Sequence, residues 1–298
     1  MRPEDLDRVV ALRNLVYPDD PVTVDEFVAW GERSPERADV VATDDGAVVG
    51  AARAYLGERP DPWAHIWVAP RERRRGAGQR LLGAISQWAE AHGHSALEGW
   101  VRADADDGLA FARGRGFGET GRELELALDL RGLEAPAVEP PAGIEIVTWA
   151  ERPELAHGLY EVALEAIPDV PGEELVELGA FGDWLARDMQ SAGDRPEATF
   201  VAVAGDEVVA YSKFAFSEAQ PAVAHHDITG VKRAWRGRGI ARALKAAQIR
   251  WALEHGLKQV RTRNEDRNAP IRRLNERFGY RPFSARIILR GPLSGSGS

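Results

Sequence analysis

The sequence has no cysteine in 298 residues, so a disulfide scaffold, a thiolate metal site and a cysteine nucleophile are all excluded. It also lacks any run of about 20 apolar residues, the length needed to cross a membrane, and its first residues lack the apolar core of a signal peptide. Basic residues are in deficit: 38 Lys and Arg stand against 47 Asp and Glu, for a net charge of −9, which disfavours nucleic acid as a partner. We therefore expect a cytoplasmic protein, a monomer or homodimer, with no membrane or nucleic-acid partner.

A spacing typical of metal ligands is missing as well. His225 and His226 are adjacent in the sequence. Neighbouring residues of a strand point to opposite faces, so these two side chains form a poor chelating pair. We expect no metal site.

A duplication is the main feature that is present. Two copies of one pattern lie 163 residues apart without an insertion, and each is too long to be a solenoid repeat. The residues shared at this offset are Val68, Arg73, Gly76, Leu81, Trp88, Ala89, His92, Gly93 and Gly116, which recur as Val231, Arg236, Gly239, Leu244, Trp251, Ala252, His255, Gly256 and Gly279. The chain therefore contains two related domains.

The domain boundaries follow from proline and glycine content. Prolines make the segment 133–143 a poor helix and a good extended linker. We expect an N-terminal domain at 1–132, a C-terminal domain at 144–293 and a flexible tail at 294–298.

The periodicity predicts an α+β (mixed α/β) fold in each half, with antiparallel hairpins followed by a strand–helix–strand unit. Predicted strands of the second half are 144–148, 199–204, 208–216, 224–231, 259–262 and 282–289, and its predicted helices are 173–189, 240–255 and 270–277. The first half has a predicted turn at 44–46, a helix at 77–92 and a strand at 123–128. Its start leaves no room for the opening strand that the second half has at 144–148.

The junction between a strand ending at Val231 and a helix beginning near Ile240 carries the strongest chemical signal. Gly237 and Gly239 leave the main chain open, and the N–H groups at a helix start attract anions. Arg236 adds a cation. The pattern is neither a Walker A loop nor a dinucleotide fingerprint. An ordinary glycine turn is the alternative, but a second occurrence at 68–78 favours a diphosphate site.

The pattern Arg-x-x-Gly-x-Gly/Ala after a strand resembles motif A of the GCN5-related N-acetyltransferases (GNAT). A second segment resembles that family's motif B, through Thr262, Asn264, Asn268, Ile271, Asn275, Gly279 and Tyr280. The two motifs cover most of residues 199–290, and a weaker similarity covers 38–128. Two linked domains of this kind resemble the arrangement in mycothiol synthase. The resemblance implies two tandem domains, each a mostly antiparallel, splayed sheet flanked by helices.

The resemblance also implies that acetyl-CoA is the acyl donor, held between two splayed strands with its diphosphate on the motif A turn. The residues it assigns to this role in the second half are Val231, Arg236, Gly237, Arg238, Gly239, Ile240, Ala241, Asn264, Asn268 and Asn275. The first-half equivalents of the turn are Val68, Arg73, Arg74, Arg75, Gly76, Ala77 and Gly78. For Asn268, capping of the following helix is an equal alternative.

Amine attack on a thioester benefits from a general base, which in this family often lies on the strand before motif A. Alternation places His225, Asp227, Thr229 and Val231 on one face and His226, Ile228 and Gly230 on the other. Asp227 is the first candidate, His225 and His226 are alternatives, and an ion pair is the structural alternative for Asp227. A main-chain N–H near Val231 would stabilise the oxyanion.

Asn275 stands where many GNAT enzymes have a tyrosine that protonates the departing thiolate. An amide cannot supply a proton, so water, Tyr280 or no group takes this role. The first half has Val101, Ala105 and Ala112 at the positions of Asn264, Asn268 and Asn275. We therefore expect the second half to be catalytic and the first to be a degenerate copy.

The acceptor site is expected between the first two helices of the second half. Asp169 and Glu173 would attract a cationic amine, while Phe181 and Trp184 would supply apolar contacts or belong to the core. The function predicted is transfer of acetyl from acetyl-CoA to an amine of a small molecule. The alternative is a non-catalytic CoA-binding sensor.

Overall fold

The computed structural model describes residues 1–57, 60–170, 176–265 and 268–295. The chain forms two compact units, the first made of Met1–Glu123 and Ser284–Ser298, the second of Leu124–Phe283. The helices are α1 (Leu6–Val16), α2 (Val24–Glu32), α3 (Ala77–Ala91), α4 (Asp106–Arg113), α5 (Ala156–Ala166), α6 (Phe181–Trp184), α7 (Ile240–Glu254) and α8 (Ala269–Arg277). The strands are β1 (Arg37–Asp44), β2 (Ala47–Tyr55), β3 (Trp63–Val68), β4 (Ala96–Arg102), β5 (Gly118–Asp129), β6 (Glu145–Thr148), β7 (Asp194–Ala204), β8 (Glu207–Phe216), β9 (Val223–Val231), β10 (Gln259–Glu265) and β11 (Arg281–Pro292).

The sheet of the first unit has the order β1-β2-β3-β4-β11, with residues 284–292 of β11 at its end. Only β3 and β4 run parallel; the other neighbouring strands are antiparallel. The predicted turn at Asp45 and Gly46 joins β1 to β2, with the positive φ angles that a tight hairpin requires. Helix α3 covers one face of this sheet, and α1 and α2 cover the other.

The sheet of the second unit has the order β5-β10-β9-β8-β7-β6, with residues 124–129 of β5 at its end. Along β7, Phe200 and Ala202 pack into the core under α7, whereas Val201 and Val203 pack into the core under α5 and α6. Alternating residues of a strand point to opposite faces, and here both faces are apolar because both are covered. We call these two sides of the second sheet the α7 face and the α5 face.

The compact units do not follow the linear order of the two repeats. Strand β5 comes at the end of the first repeat, yet residues 124–129 belong to the second unit. Strand β11 comes at the end of the second repeat, yet residues 284–292 belong to the first unit. The sequence-based boundaries at 132 and 144 do not show that each repeat's last strand belongs to the other compact unit. Both repeats end in strands of similar pattern, and only tertiary pairing decides to which sheet each strand is added.

The predicted fold class is confirmed: each unit is a mixed α/β domain with a mostly antiparallel sheet flanked by helices. One predicted helix is wrong in extent. Within the described part of 173–189, only α6 is an α-helix, and Leu185–Met189 forms a π-helical turn after it. Gly179 has φ of 73°, a left-handed conformation that ends any helix before it. None of the helices in the described ranges is long and apolar enough to cross a membrane.

Candidate active site

Each unit contains a pair of parallel strands that separate. In the second unit, β9 and β10 are paired from Val223 and Gln259 up to His226 and Thr262. In the first unit, β3 and β4 are paired only at Trp63 and Glu98. Beyond the last pair the strands diverge, and main-chain groups along their inner edges become accessible to a ligand.

The two motif A turns have the same backbone conformation. Gly76 and Gly239 have φ of 87° and 88°, and both immediately precede a helix. Two residues earlier, Arg74 and Gly237 have φ of 64° and 75°. Since a glycine N-cap has no side chain to accept from the first helical turn, the N–H groups there face outward. Each turn therefore leaves main-chain N–H groups open at a helix start, which is the arrangement expected of an anion site.

Arginine contacts repeat between the two turns. Arg73 Nε donates to the carbonyl oxygen of Val68 at 3.4 Å, and Arg236 Nε donates to that of Val231 at 2.9 Å. Arg238 is instead turned towards Trp235, with its guanidinium 4.7 Å from the ring centroid. Arg75 pairs with Glu72 at 2.9 Å. Arg73 and Arg236 therefore occupy equivalent positions in the two turns and make equivalent contacts.

The first unit contains a cavity of about 480 Å³ between its diverging strands. Its rim includes Arg73, Gly76 and Gly78 of the motif A turn, and its far end includes Tyr17 and Trp100. The walls between are mostly apolar. This cavity means that the first half, expected to be degenerate, keeps a ligand-sized space beside its motif A turn.

The corresponding positions of the second unit are polar. Ten apolar residues that line the first-unit cavity have a polar residue 163 positions later, and seven of these pairs form one set. Those seven pairs are Ile66/Thr229, Leu82/Lys245, Ile85/Gln248, Gly99/Thr262, Val101/Asn264, Ala112/Asn275 and Phe117/Tyr280. We call the second-unit set the polar cleft.

Part of the polar cleft is satisfied by internal hydrogen bonds. Asn275 Nδ2 donates to Asn264 Oδ1 at 2.7 Å, and the Ser212 hydroxyl bonds Gln248 Oε1 at 2.6 Å and the Thr229 hydroxyl at 2.7 Å. The first of these bonds brings Asn264 and Asn275 together. Asn268 lies at the N-cap position of α8, but its side chain makes no capping hydrogen bond.

Other polar atoms of the polar cleft and of its neighbour His226 are buried without a partner among the described residues. They are Asn275 Oδ1, Gln248 Nε2, the Tyr280 hydroxyl and both ring nitrogens of His226. Burial lowers the pKa of Lys245 to about 7. Burial, with a smaller contribution from the Lys245 charge, also lowers the pKa of His226 well below its ordinary value, so His226 is neutral.

Strand β9 has a β-bulge at Asp227. Lys213 of β8 pairs with Ile228 and Phe214 pairs with His226, so Asp227 has no opposite residue. The bulge changes the alternation, which corrects the predicted faces. His226 packs against Phe214 on the α7 face, the same face on which Thr229 meets Gln248. The prediction that His226 shares a face with Ile228 and Gly230 is therefore wrong.

Asp227 lies on the α5 face in an ion-pair cluster. The ammonium of the buried Lys213 is 2.9 Å from Asp227 Oδ2 and 2.7 Å from Asp194 Oδ1. Burial opposes the charged form of Lys213, but attraction by both carboxylates keeps its pKa above the ordinary value. The Asp227 side chain is 49% exposed, so it faces solvent while one oxygen is held.

Asp169 lies against the motif A turn. Its carboxylate bonds the Arg233 guanidinium through two hydrogen bonds of 2.8 Å and pairs with Arg236 at 2.7 Å. Hydrogen bonds from Arg233 and then from Arg236 lower the pKa of Asp169 to about 2. The structure thus places this predicted acceptor residue against the second motif A turn.

The other predicted acceptor residues have different positions. Trp184 is fully buried in the core under α5, whereas Phe181 is half-buried and stacks on His157 with ring centroids 4.8 Å apart. Glu173 lies outside the described residues. Of the apolar pair, Phe181 is therefore the one placed to meet a ligand.

Sequence reasoning missed Lys245, Gln248 and the first-unit cavity. The constant offset contained the missing signal, because Lys245 and Gln248 take the positions of Leu82 and Ile85 on an otherwise apolar helix face. A polar residue on an apolar face is informative only when its burial is known.

The family model described as "Acetyltransferase (GNAT) family" matches residues 7–117 and 157–280. A mycothiol acetyltransferase of Geodermatophilus obscurus is 28% identical over 253 residues, which cover 81% of this chain and 78% of that protein. One from Rhodococcus erythropolis is 25% identical over 255 residues, covering 82% and 81%.

Two solved structures share the fold over nearly the whole chain. A GCN5-related N-acetyltransferase from Sphaerobacter thermophilus has a TM-score of 0.78 at 23% identity, covering 98% of this chain and 94% of that one. A tandem GNAT protein from the clavulanic acid biosynthesis pathway has a TM-score of 0.76 at 22% identity, covering 97% and 96%. With two matched regions and two splayed domains, the chain belongs to the acetyltransferase (GNAT) family and is a tandem GNAT N-acetyltransferase.

Proposed function

We propose that this enzyme transfers acetyl from acetyl-CoA to an amine of a small molecule, and that the reaction takes place in the second unit. The observation that carries the proposal is the bulge at Asp227 directly beside the polar cleft. A bulge leaves main-chain groups unpaired next to the diverging strands, where a thioester oxygen needs donors as it gains charge. The equivalent strand of the first unit, β3, pairs with β2 in continuous register, so the bulge distinguishes the second unit from the first.

The polar cleft suits the pantetheine arm, whose two amides need hydrogen-bond partners when they leave water. Asn264, Gln248 and Thr229 offer such partners along the gap, while the turn at Gly239 binds the diphosphate through main-chain N–H groups. A main-chain N–H near Val231 is the proposed oxyanion donor.

The α5 face is the proposed acceptor side. His225 has the opposite orientation to Ala224 and His226 and so lies on this face with Asp227. We assign proton acceptance to His225, since histidine is the side chain that most often serves as a general base. Asp227 is assigned to holding the acceptor's ammonium group, because its carboxylate is exposed but already engaged with Lys213.

The first unit is proposed to bind a CoA ligand without catalysing transfer. Its cavity and motif A turn provide the space and the anion site. On β3, however, the only titratable side chain is His65, which is buried among aromatic rings. Burial, together with the charges of Arg286, Arg13 and Arg53, lowers the pKa of His65 to about 3, so it cannot accept a proton near neutral pH.

The small-molecule nature of the acceptor is supported by the relatives named mycothiol acetyltransferases. An acceptor panel should therefore contain simple primary amines, amino acids and amine-bearing antibiotics alongside peptides. Free CoA thiol released over time is the readout.

Matched variants Gly239→Val and Gly76→Val test which unit reacts. A side chain at either φ costs about 1–3 kcal/mol in that turn and obstructs the anion site. We expect Gly239→Val to lower kcat/KM for acetyl-CoA on the order of 100-fold and Gly76→Val by roughly tenfold or less. The reverse order would assign the reaction to the first unit.

A CoA-binding sensor is the second candidate. It is favoured by the open first-unit cavity and by Asn275, which stands where many GNAT enzymes have a proton-donating tyrosine. It predicts saturable acetyl-CoA binding and no thiol release above background hydrolysis with every acceptor in the panel.

A further inference from the structure

Lys245 is a buried cation in the polar cleft. Its side chain is 1% exposed, and its ammonium has no hydrogen bond or ion pair with any residue in the described part of the chain. Its closest described interaction is with the ring of Tyr280, whose centroid is 4.9 Å from Nζ. A buried, unpaired charge destabilises a fold, so this lysine needs a reason beyond packing.

The groups around Lys245 are similarly unsatisfied. The Tyr280 hydroxyl, both nitrogens of His226, Gln248 Nε2 and Asn275 Oδ1 lack partners among residues that the structure describes. Buried polar atoms in folded proteins nearly always have a hydrogen-bond partner. Five such atoms around one ammonium indicate a space that is completed by a polar ligand.

The position of this group within the gap identifies the ligand atom. The diphosphate turn follows the end of β9 at Val231, whereas the strands converge at His226 and Thr262. A CoA thioester held at the turn extends into the gap with its sulfur towards the convergence. His226 lies at that end, its ring 6.3 Å from that of Tyr280, and Lys245 lies over Tyr280.

We propose that Lys245 donates a proton to the CoA sulfur as the thioester breaks, with His226 and Tyr280 as positioning residues. This inference rests on the proposed function of the second unit. The acceptor ammonium loses one proton to His225, and its nitrogen bonds to the carbonyl carbon. The nitrogen then releases a second proton to solvent as the C–S bond breaks, and sulfur keeps its electron pair. Nζ transfers a proton to that sulfur, giving CoA thiol, and neutral Lys245 regains a proton from water.

The surroundings favour a group that can both give and regain a proton. The titratable groups facing Lys245 are His226 from β9 and Tyr280 before β11, and α8 and β10 contribute the amides of Asn275 and Asn264. No charged group among the described residues counts among the causes of its shift, which is due to burial alone, with a pKa of about 7. Both forms are therefore populated near neutral pH, the optimum for a general acid.

The test compares Lys245→Met with Lys258→Met, the same substitution at an exposed lysine outside the site. With an accepted amine, we expect Lys245→Met to lower kcat on the order of 10- to 100-fold and to change the KM for acetyl-CoA by about threefold or less. In the parent enzyme kcat should fall as pH rises and Lys245 loses its proton, and this fall should be absent in Lys245→Met. Lys258→Met should match the parent enzyme.

A second measurement does not depend on turnover. When CoA thiol binds to the parent enzyme, a nearby ammonium should make the thiol ionise at lower pH than its usual value of about 8.5, which ultraviolet thiolate absorbance detects. Lys245→Met should abolish this shift. If Lys245→Met lowers kcat but keeps the thiolate shift of the parent enzyme, Lys245 has a structural role and the inference is overturned. An unchanged kcat and pH profile in Lys245→Met would also overturn it. If the parent enzyme itself releases no thiol with any amine, the proposed function fails, and the inference fails with it.

Discussion

Asp169 Oδ2 lies 2.7 Å from Arg236 NH1, so the arginine that begins the second motif A turn is neutralised by a carboxylate from the segment after α5. The same carboxylate binds Arg233. A diphosphate arriving at this turn meets an anion already in place. We therefore expect Asp169 to oppose cofactor binding at this turn, even though it keeps the two arginines ordered.

Replacing Asp169 by Asn should strengthen acetyl-CoA binding. The substitution removes a negative charge near an incoming dianion and releases Arg236. This is worth about 0.2–1 kcal/mol for an exposed pair, or a KM lower by about 1.4- to fivefold. Steady-state kinetics at low and high salt would measure it, and the gain should shrink at high salt. Glu161→Gln is the control, because Glu161 pairs with Lys232 and has no contact with Arg236. A higher KM for Asp169→Asn would show that the carboxylate orders the turn for binding.

Lys213→Met should destabilise the second unit strongly. The substitution leaves the carboxylate of Asp194, whose side chain is 6% exposed, without its cation, and breaking a buried pair in this way costs about 3–5 kcal/mol. Urea unfolding of the full-length chain measures the loss. Lys232→Met is the control: its partners Glu161 and Glu207 are exposed, so the loss should be about 1 kcal/mol or less. Equal losses in both variants would contradict the burial argument.

The parent protein should become more stable as pH rises from about 7 to about 10.5, because Lys245 then loses its buried charge in the folded state. Its pKa of about 7 in the folded state lies below 10.5, the ordinary lysine value, so between these two values the unfolded chain binds more protons. Stability should therefore increase across that window, while below pH about 7 the full cost of the buried charge, about 5 kcal/mol at most, is present.

The corresponding variant is Lys245→Met, which should be more stable than the parent protein at pH 7 and should lack this slope. Unfolding free energies of both proteins at several pH values between about 6 and 10 provide the measurement. Parallel stability curves for the two proteins would show that Lys245 is not buried as a cation.

Ligand binding in the first unit should change the fluorescence of Trp100. This residue lines the cavity and lies against Tyr17, with ring centroids 4.7 Å apart, and against the guanidinium of Arg286 at 3.9 Å. Titration of the Gly239→Val variant with CoA should alter emission through the first site, and Trp100→Phe in that background should remove most of the change. If CoA changes the emission of the Gly239→Val, Trp100→Phe protein as much as that of Gly239→Val alone, the ligand does not bind near Trp100.

Sequence patterns predicted the fold class, most strands and both motif A turns. The reason is that these features are local: strand alternation, glycine at positive φ and a helix start are each encoded within a few residues. The helix predicted at 173–189 is wrong in extent for an equally local reason. Apolar spacing predicted one continuous helix, but Gly179 has a positive φ and Leu185–Met189 form a π-helical turn.

The faces of β9 could not be predicted in the same way. Alternation assumes an unbroken ladder, and the bulge at Asp227 arises from how β8 and β9 pair. One unpaired residue moves His226 to the α7 face and leaves Asp227 on the other, beside Lys213. Likewise, the ion pair of Asp169 with Arg236 joins residues far apart in the sequence.

By itself the sequence determined the duplication, the family and the backbone conformation of the two motif A turns. Repeated residues and short-range backbone preferences can be read without knowledge of tertiary contacts. Only the tertiary structure decided which strand completes each sheet, that the first cleft is open and apolar, and that Lys245 and its polar neighbours are buried together. Burial and pairing depend on residues brought close from distant parts of the chain, and it is burial that turns an ordinary lysine into one that loses its proton near neutral pH.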